Sequence, residues 1–179
     1  MEFSVGQHIV HPAHGAGTVV GVQEQELVEG YEHYYVIRFA DKRLTVRVPQ
    51  LRTDELGLRS VMGTAKCKEV FSVLSSLPKQ LPSNFKERRR TVEKLIHSGK
   101  PVKVAEALRE LTWRRELKPL NKADSELLSQ ASGMLVEEMS LATGEEKTRV
   151  ERQISAALDE SVRAKHVAVE AQVEAQVAD

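Results

Sequence analysis

This sequence predicts an α+β protein of two parts, a small, strongly bent β-barrel at the N-terminus and an all-helical domain behind it. Three observations carry that expectation. Within the first fifty residues, β-branched and aromatic runs alternate with glycine and proline turns. After Pro49 the apolar spacing changes from two residues to the three or four of a helix. The charges also segregate: residues 1–78 hold 8 Lys+Arg against 9 Asp+Glu, residues 79–122 hold 13 against 5, and residues 123–179 hold 5 against 12. The blocks are therefore −1, +8 and −7 within a chain of formal net charge zero.

The strands come first. Gln7–His11 runs into Pro12-Ala13-His14-Gly15-Ala16-Gly17, read as a turn because glycine tolerates positive φ and proline lacks a donor. Thr18–Val22 is β-branched, Tyr34–Phe39 is aromatic and apolar, and Leu44–Pro49 alternates with period two. Residues 40–43 form the short link between the last two. Several short strands in about fifty residues suit a bent barrel of the SH3-like or Tudor-like kind, too small to enclose an active site.

The helices follow. Cys67, Val70, Phe71, Leu74 and Leu77 share a helical stripe that Pro78 ends. Asn84 is a good N-cap with Glu87 three residues on, so a helix is expected over about 85–96, with Gly99 as its stop. Pro101 suits the first turn of the next, whose stripe is Val104, Ala105, Leu108, Leu111 and Thr112. Asn121 caps a longer helix that Gly144 ends, and Val150, Ile154, Ala157, Leu158 and Val162 mark the last. The expected domains are 1–54 for the barrel, 55–82 for a connecting segment whose helix packs on the helical domain, 83–164 for that domain, and 165–179 for a low-complexity tail, frayed or disordered.

Little in the chain suggests catalysis. It carries no nucleophile elbow, Walker-type loop, dinucleotide fingerprint or H-E-x-x-H. His8, His11 and His14 are spaced by three, but that spacing suits one face of a helix, whereas Pro12, Gly15 and Gly17 argue for strand and turn. No metal and no cofactor are expected. Cys67, the single cysteine, sits on an apolar stripe, so it reads as an inert buried thiol, and no disulfide framework exists. No segment approaches the roughly 18 to 20 apolar residues that span a bilayer, and the first residues, lacking a basic start and an apolar core segment, are not expected to act as a leader. A cytoplasmic, non-enzymatic binding protein is the expectation.

The sharpest local feature is Phe85-Lys86-Glu87-Arg88-Arg89-Arg90, an aromatic at a helix start crowded with cations. Helix N-termini present free N–H groups and partial positive charge to phosphate oxygens, and an apolar side chain beside cations can push against bases in a minor groove. The bland alternative is that Phe85 staples onto residues 77–81 while the arginines form a solvated face. Trp113, beside Arg109, Arg114 and Arg115, is expected to pack between helices.

The chain resembles the CarD/CdnL family of bacterial transcription regulators. The residues that carry the likeness are V-G-Q-H-I-V-H-P-A-H-G-A-G (Val5 to Gly17), L-T-V-R-V-P (Leu44 to Pro49), Gly57-Leu58-Arg59, L-P-S-N-F-K-E-R-R-R (Leu81 to Arg90) and V-A-E-A-L-R-E-L-T-W-R-R (Val104 to Arg115). The first two are shared with the polymerase-interaction module of transcription-repair coupling factors. The resemblance implies a Tudor-like domain that docks on the RNA polymerase β subunit through Val46, Arg47, Val48 and Pro49. It implies a helical domain that contacts promoter DNA, minor groove and backbone with little sequence preference, at the upstream edge of the transcription bubble. Phe85, Lys86, Arg88, Arg89, Arg90, Arg109 and Arg114 are the expected DNA-binding residues. The implied effect is stabilisation of the open promoter complex by a monomer. Three positions depart from the family pattern: Gln25 and Glu87 stand where a basic residue is frequent, and Phe85 where many members carry tryptophan. The second reading is a polymerase-bound adaptor that recruits a protein and leaves DNA untouched.

Overall fold

The computed structural model describes residues 2–39 and 43–177. Five antiparallel strands come first: β1 His8–His11, β2 Gly15–Val28, β3 Tyr31–Phe39, β4 Leu44–Pro49 and β5 Arg59–Ser60. Their order in the sheet is β4-β3-β2-β1-β5, so β4 and β5 are its edges. Five helices follow: α1 Thr64–Ser75, α2 Phe85–Ile96, α3 Pro101–Leu117, α4 Lys122–Thr143 and α5 Lys147–Val177. This is the expected Tudor-like β domain followed by a helical domain.

The sheet curls because alternate side chains all seek one interior. Ile9, Val19, Tyr35, Ile37, Phe39, Val48 and Leu58 pack there with Phe3, whose amide donates to the Tyr35 hydroxyl at 2.9 Å. A register shift between Val19 and Gly21 puts a bulge in β2 and sharpens the bend. Gly17 is required at the tightest approach, since a Cβ there would lie 2.8 Å from the Phe39 ring.

Three expectations are corrected here. The turn after β1 is confined to Pro12–His14; Gly15, Ala16 and Gly17 already pair with His11, Val10 and Ile9 as the start of β2. Strand β2 continues past Val22 to Val28 and returns through Gly30, at φ 83°, into a β3 that begins at Tyr31. Periodicity missed this because the overhanging hairpin, including Gln25 to Gly30, is exposed on both faces and so carries no apolar alternation. The tail expected over 165–179 as frayed or disordered is not separate either: α5 runs on through residues 165–177. Residues 178–179 lie outside the described residues, as do 40–42 of the link expected over 40–43.

The helical core contains Cys67, Val70, Leu74, Val92, Ile96, Leu108, Leu111, Leu135, Met139, Ile154 and Leu158. Helix α3 touches α1, α2, α4 and α5, and Val104–Trp113 is buried apart from Glu106. Asn84 caps α2 by accepting from the amides of Lys86 and Glu87, and Asn121 caps α4 through the Asp124 amide. Gly144 closes α4 at φ 72°.

The two parts meet at a polar joint. Arg59 on β5 donates to both carboxylate oxygens of Glu138 on α4, at 2.5 and 2.9 Å, and to the Gly99 carbonyl at 2.6 Å. Glu138, 5 % exposed at its side chain, also accepts from the Met62 amide.

Candidate functional site

Two surfaces bring together the expected binding residues. The first is the outer edge of the sheet. Strand β4 pairs with β3 on one side, Arg47 opposite Val36 and Val48 opposite Tyr35, and its other side is open. Val48 is buried and Val46 half-buried, while Arg47 projects outward. Its Nε donates to Gln23 Oε1 at 2.8 Å, and the Gln23 amide donates to Gln25 at 2.6 Å. Gln25 is thus tied to Arg47 through one intermediate side chain. Pro49 ends the strand, and Leu51 beyond it is 84 % exposed. Leu51 lines a shallow hollow with Tyr31 and His33, an apolar element that periodicity missed because the 3-10 turn Gln50–Arg52 has no repeating face.

The second surface is the start of α2. Phe85 is 44 % exposed, so it does not close as a staple. Lys86 and Arg90 lie exposed on the same turns and make no ion pair among the described residues. Arg89 pairs with Glu93 at 2.8 Å on the surface, where solvent screens such pairs strongly.

Of the expected DNA contacts, Arg88 and Arg109 are buried and Arg114 is half-buried, and all three are engaged inside the domain. Arg88 is 2 % exposed: its guanidinium donates to Asp124 Oδ2 at 3.0 Å and to the carbonyls of Pro82 and Ser83 at 3.0 and 2.9 Å. Its Cζ also lies 5.9 Å from the Phe85 ring centroid, bracing the aromatic from below. Arg114 Nε reaches the same Asp124 oxygen at 3.4 Å. Arg109, 6 % exposed, binds Glu110 at 2.5 Å, the Val73 carbonyl at 2.9 Å and the Ser76 hydroxyl. Helical spacing could have flagged Arg88, which stands four residues before Val92 and eight before Ile96, on the buried stripe. Arg109 carried the same warning, standing four residues after Ala105 and three before Thr112 on the stripe of α3, where residues 107–113 are all buried.

Burial of these charges leaves marks. Asp124, 0 % exposed, concentrates its partners on Oδ2, which also accepts from the Asn121 amide at 3.0 Å, while Oδ1 has no partner among the described residues. The Glu110 carboxyl is pushed above the ordinary carboxylate value by burial, against the opposing pull of Arg109 and of the Lys79 amide. Burial also raises the Cys67 thiol, with the charge of Glu138 adding to it, which disfavours the nucleophilic thiolate.

His8 and His11 lie on β1 and His14 in the turn that follows it. His8 Nδ1 lies 3.0 Å from Thr18 Oγ1, and the His11 and His14 rings stand 4.6 Å apart beside Phe39. No group of three His, Cys, Asp or Glu among the described residues could hold a metal ion. No described helix is long and apolar enough to cross a membrane.

An open-edged β module is fixed to a helical domain whose cations concentrate in residues 79–122. Comparison with known families agrees: residues 3–62 match the CarD-like/TRCF RID domain, and residues 69–155 match the CarD C-terminal domain. These define a class of transcription regulators. The chain belongs to the CarD family. It is 28 % identical over 142 residues to the Bacillus subtilis (strain 168) protein called "Putative transcription factor YdeB", covering 79 % of this chain and 93 % of that protein.

Proposed function

We propose that this protein docks on the β subunit of bacterial RNA polymerase through Val46, Arg47, Val48 and Pro49, and holds promoter DNA at the upstream edge of the bubble through Phe85, Lys86, Arg89 and Arg90. Docking uses the open side of β4: main-chain hydrogen bonds to a strand of the partner supply affinity, and outward side chains, Arg47 above all, supply specificity. Tethering then raises the local concentration of the helical domain at the DNA. Lys86 and Arg90 neutralise phosphates and set register, and Phe85 wedges against unstacked bases.

The observation that carries the reading is the exposed Phe85 at the start of a capped helix, with Lys86 and Arg90 exposed on the same two turns and without an ion pair among the described residues. Such an arrangement favours melted over closed DNA because the wedge finds its site only where bases part. Only that difference in affinity shifts the promoter equilibrium, since equal binding to both states shifts nothing. Arg88, Arg109 and Arg114 act from behind, holding the start of α2 and the middle of α3 in place.

The test is the dissociation rate of open complexes on a weak promoter, with wild type, Arg47→Glu and Phe85→Ala compared. Slower dissociation with wild type, lost in both variants, is expected. An unchanged lifetime with Phe85→Ala, at normal polymerase affinity, would remove the wedge and leave an adaptor that recruits protein.

A further inference from the structure

A small apolar pocket opens beside the wedge, and the proposed function makes no use of it. It occupies about 190 Å³ between the linker before α2 and the last turns of α3. Leu81, Trp113 and Leu117 form its apolar walls, and Ser83, Glu110 and Lys118 are among the polar residues that line it. The volume falls below the roughly 300 Å³ at which drug-sized sites begin, so the space suits a single ring system.

Its walls are held from outside. Trp113, 5 % exposed, is met at 5.1 Å by the His166 ring of α5, itself 3.7 Å from Glu116. Leu81 is buried, and Ser83 is fixed through its carbonyl by Arg88. That same guanidinium lies under the Phe85 ring and shares Asp124 with Arg114, another lining residue. Pocket and wedge are therefore braced by one buried arginine. Leu117 differs from the other walls: at 57 % exposed it forms an open lip of apolar surface that the fold has left uncovered.

The occupant follows from the charge around it. The lining carries Arg114 and Lys118 against one acid, Glu110, and Lys79, whose amide donates to that same carboxylate, is exposed beside it. An apolar ring carried on an anionic backbone fits both features, and a nucleotide of a separated strand is such a group. The larger groove between α3, α4 and α5 lacks this match, since its lining balances Arg115 and Lys147 with Glu137 and Glu151.

We infer that the pocket walled by Leu81, Trp113 and Leu117 receives one nucleobase turned out of the DNA where Phe85 enters it. The inference rests on the proposed DNA contact at α2. The wedge parts the stack, and the displaced base finds apolar cover within the same domain. Capture opposes re-stacking and so adds to the preference for melted DNA. Contact through apolar walls, with few polar groups, makes the site tolerant of base identity.

The test uses the full-length chain with polymerase on pre-melted promoter DNA, carrying an abasic site at each of the first unpaired positions of either strand in turn. The readout is the factor by which the protein lengthens open-complex life. At one position, removal of the base should cut the wild-type factor about tenfold, within the range typical of single-base stacking. Leu117→Glu should show a reduced factor on intact DNA and no further loss at that position, while Leu117→Met retains the wild-type pattern. Leu117 is exposed enough for both variants to fold, which their melting temperatures verify. Equal sensitivity of wild type and Leu117→Glu at every position would overturn the pocket. Phe85→Ala in parallel separates the two ideas: if it shortens life on intact DNA while no position distinguishes Leu117→Glu, the wedge stands and the pocket falls. If Phe85→Ala has no effect but the Leu117-dependent position persists, the pocket stands without the wedge.

Discussion

Arg59 and Glu138, seventy-nine residues apart, form a two-pronged ion pair that fastens the β-sheet to α4. The same carboxylate accepts from the Met62 amide, and the same guanidinium holds the Gly99 carbonyl. The surface proposed to meet polymerase and the surface proposed to meet DNA are thereby set at a fixed separation.

Removing one member of this pair should cost more than a surface pair does, because its partner is left charged in a poorly solvated joint. Glu138→Ala is expected to lower stability by about 3 kcal/mol, measured by urea denaturation. Polymerase affinity should persist, since β4 is distant from the joint, while the gain in open-complex lifetime falls.

The arginines near the start of α2 should divide by burial. Arg88→Ala strands Asp124 in the core with Arg114 and Asn121 as its remaining side-chain partners, and is expected to destabilise the fold by roughly 3 kcal/mol. Lys86→Ala and Arg90→Ala should change stability by less than about 0.5 kcal/mol, yet each should reduce the slope of log affinity for DNA against log salt by about 0.9. Denaturation and salt titration on the same three variants check the division.

Phe85→Trp should strengthen the wedge. The larger ring adds about 40 to 50 Å² of apolar area, worth roughly 1 kcal/mol at about 25 cal/mol per Å², so open complexes should live about fivefold longer. A lifetime equal to that of wild type would mean that ring size is not what limits the contact.

Glu110 gives a pH dependence. Its carboxyl is raised above its ordinary value of 4.5 in the folded chain, so between that value and the folded one the native state holds more proton than the unfolded state does. Stability should therefore decline as pH rises through that window. Glu110→Gln lacks this contribution, and the stability difference, wild type minus variant, should become less favourable from about pH 4.5 upward. Denaturant midpoints across pH 4 to 7 give the comparison.

Much of the fold was legible in the sequence because the determining residues act locally. Asn84, Pro101, Asn121 and Gly144 set helix ends through their own backbone chemistry, and the stripes of α3 and α4 point inward as their spacing requires. The overhanging part of the β2–β3 hairpin escaped notice because both its faces are wet. The site was legible only in part. Phe85, Lys86 and Arg90 lie exposed where composition suggested, but a count of cations cannot distinguish a guanidinium facing water from one neutralised by a distant carboxylate. Asp124 belongs to the acidic stretch and yet serves Arg88 and Arg114 of the basic one, a pairing that only the tertiary fold creates.

The shape of the outermost strand bears on what the molecule avoids. A bare β edge invites a second copy to zip against it. Here the edge is six residues long, Arg47 stands near its middle and Pro49 closes it without an amide proton. Two such edges brought together head to tail would crowd like charges and lose a rung of the ladder at each end. The strand is therefore a poor template for its own kind while remaining open to a partner that answers the arginine with an acid.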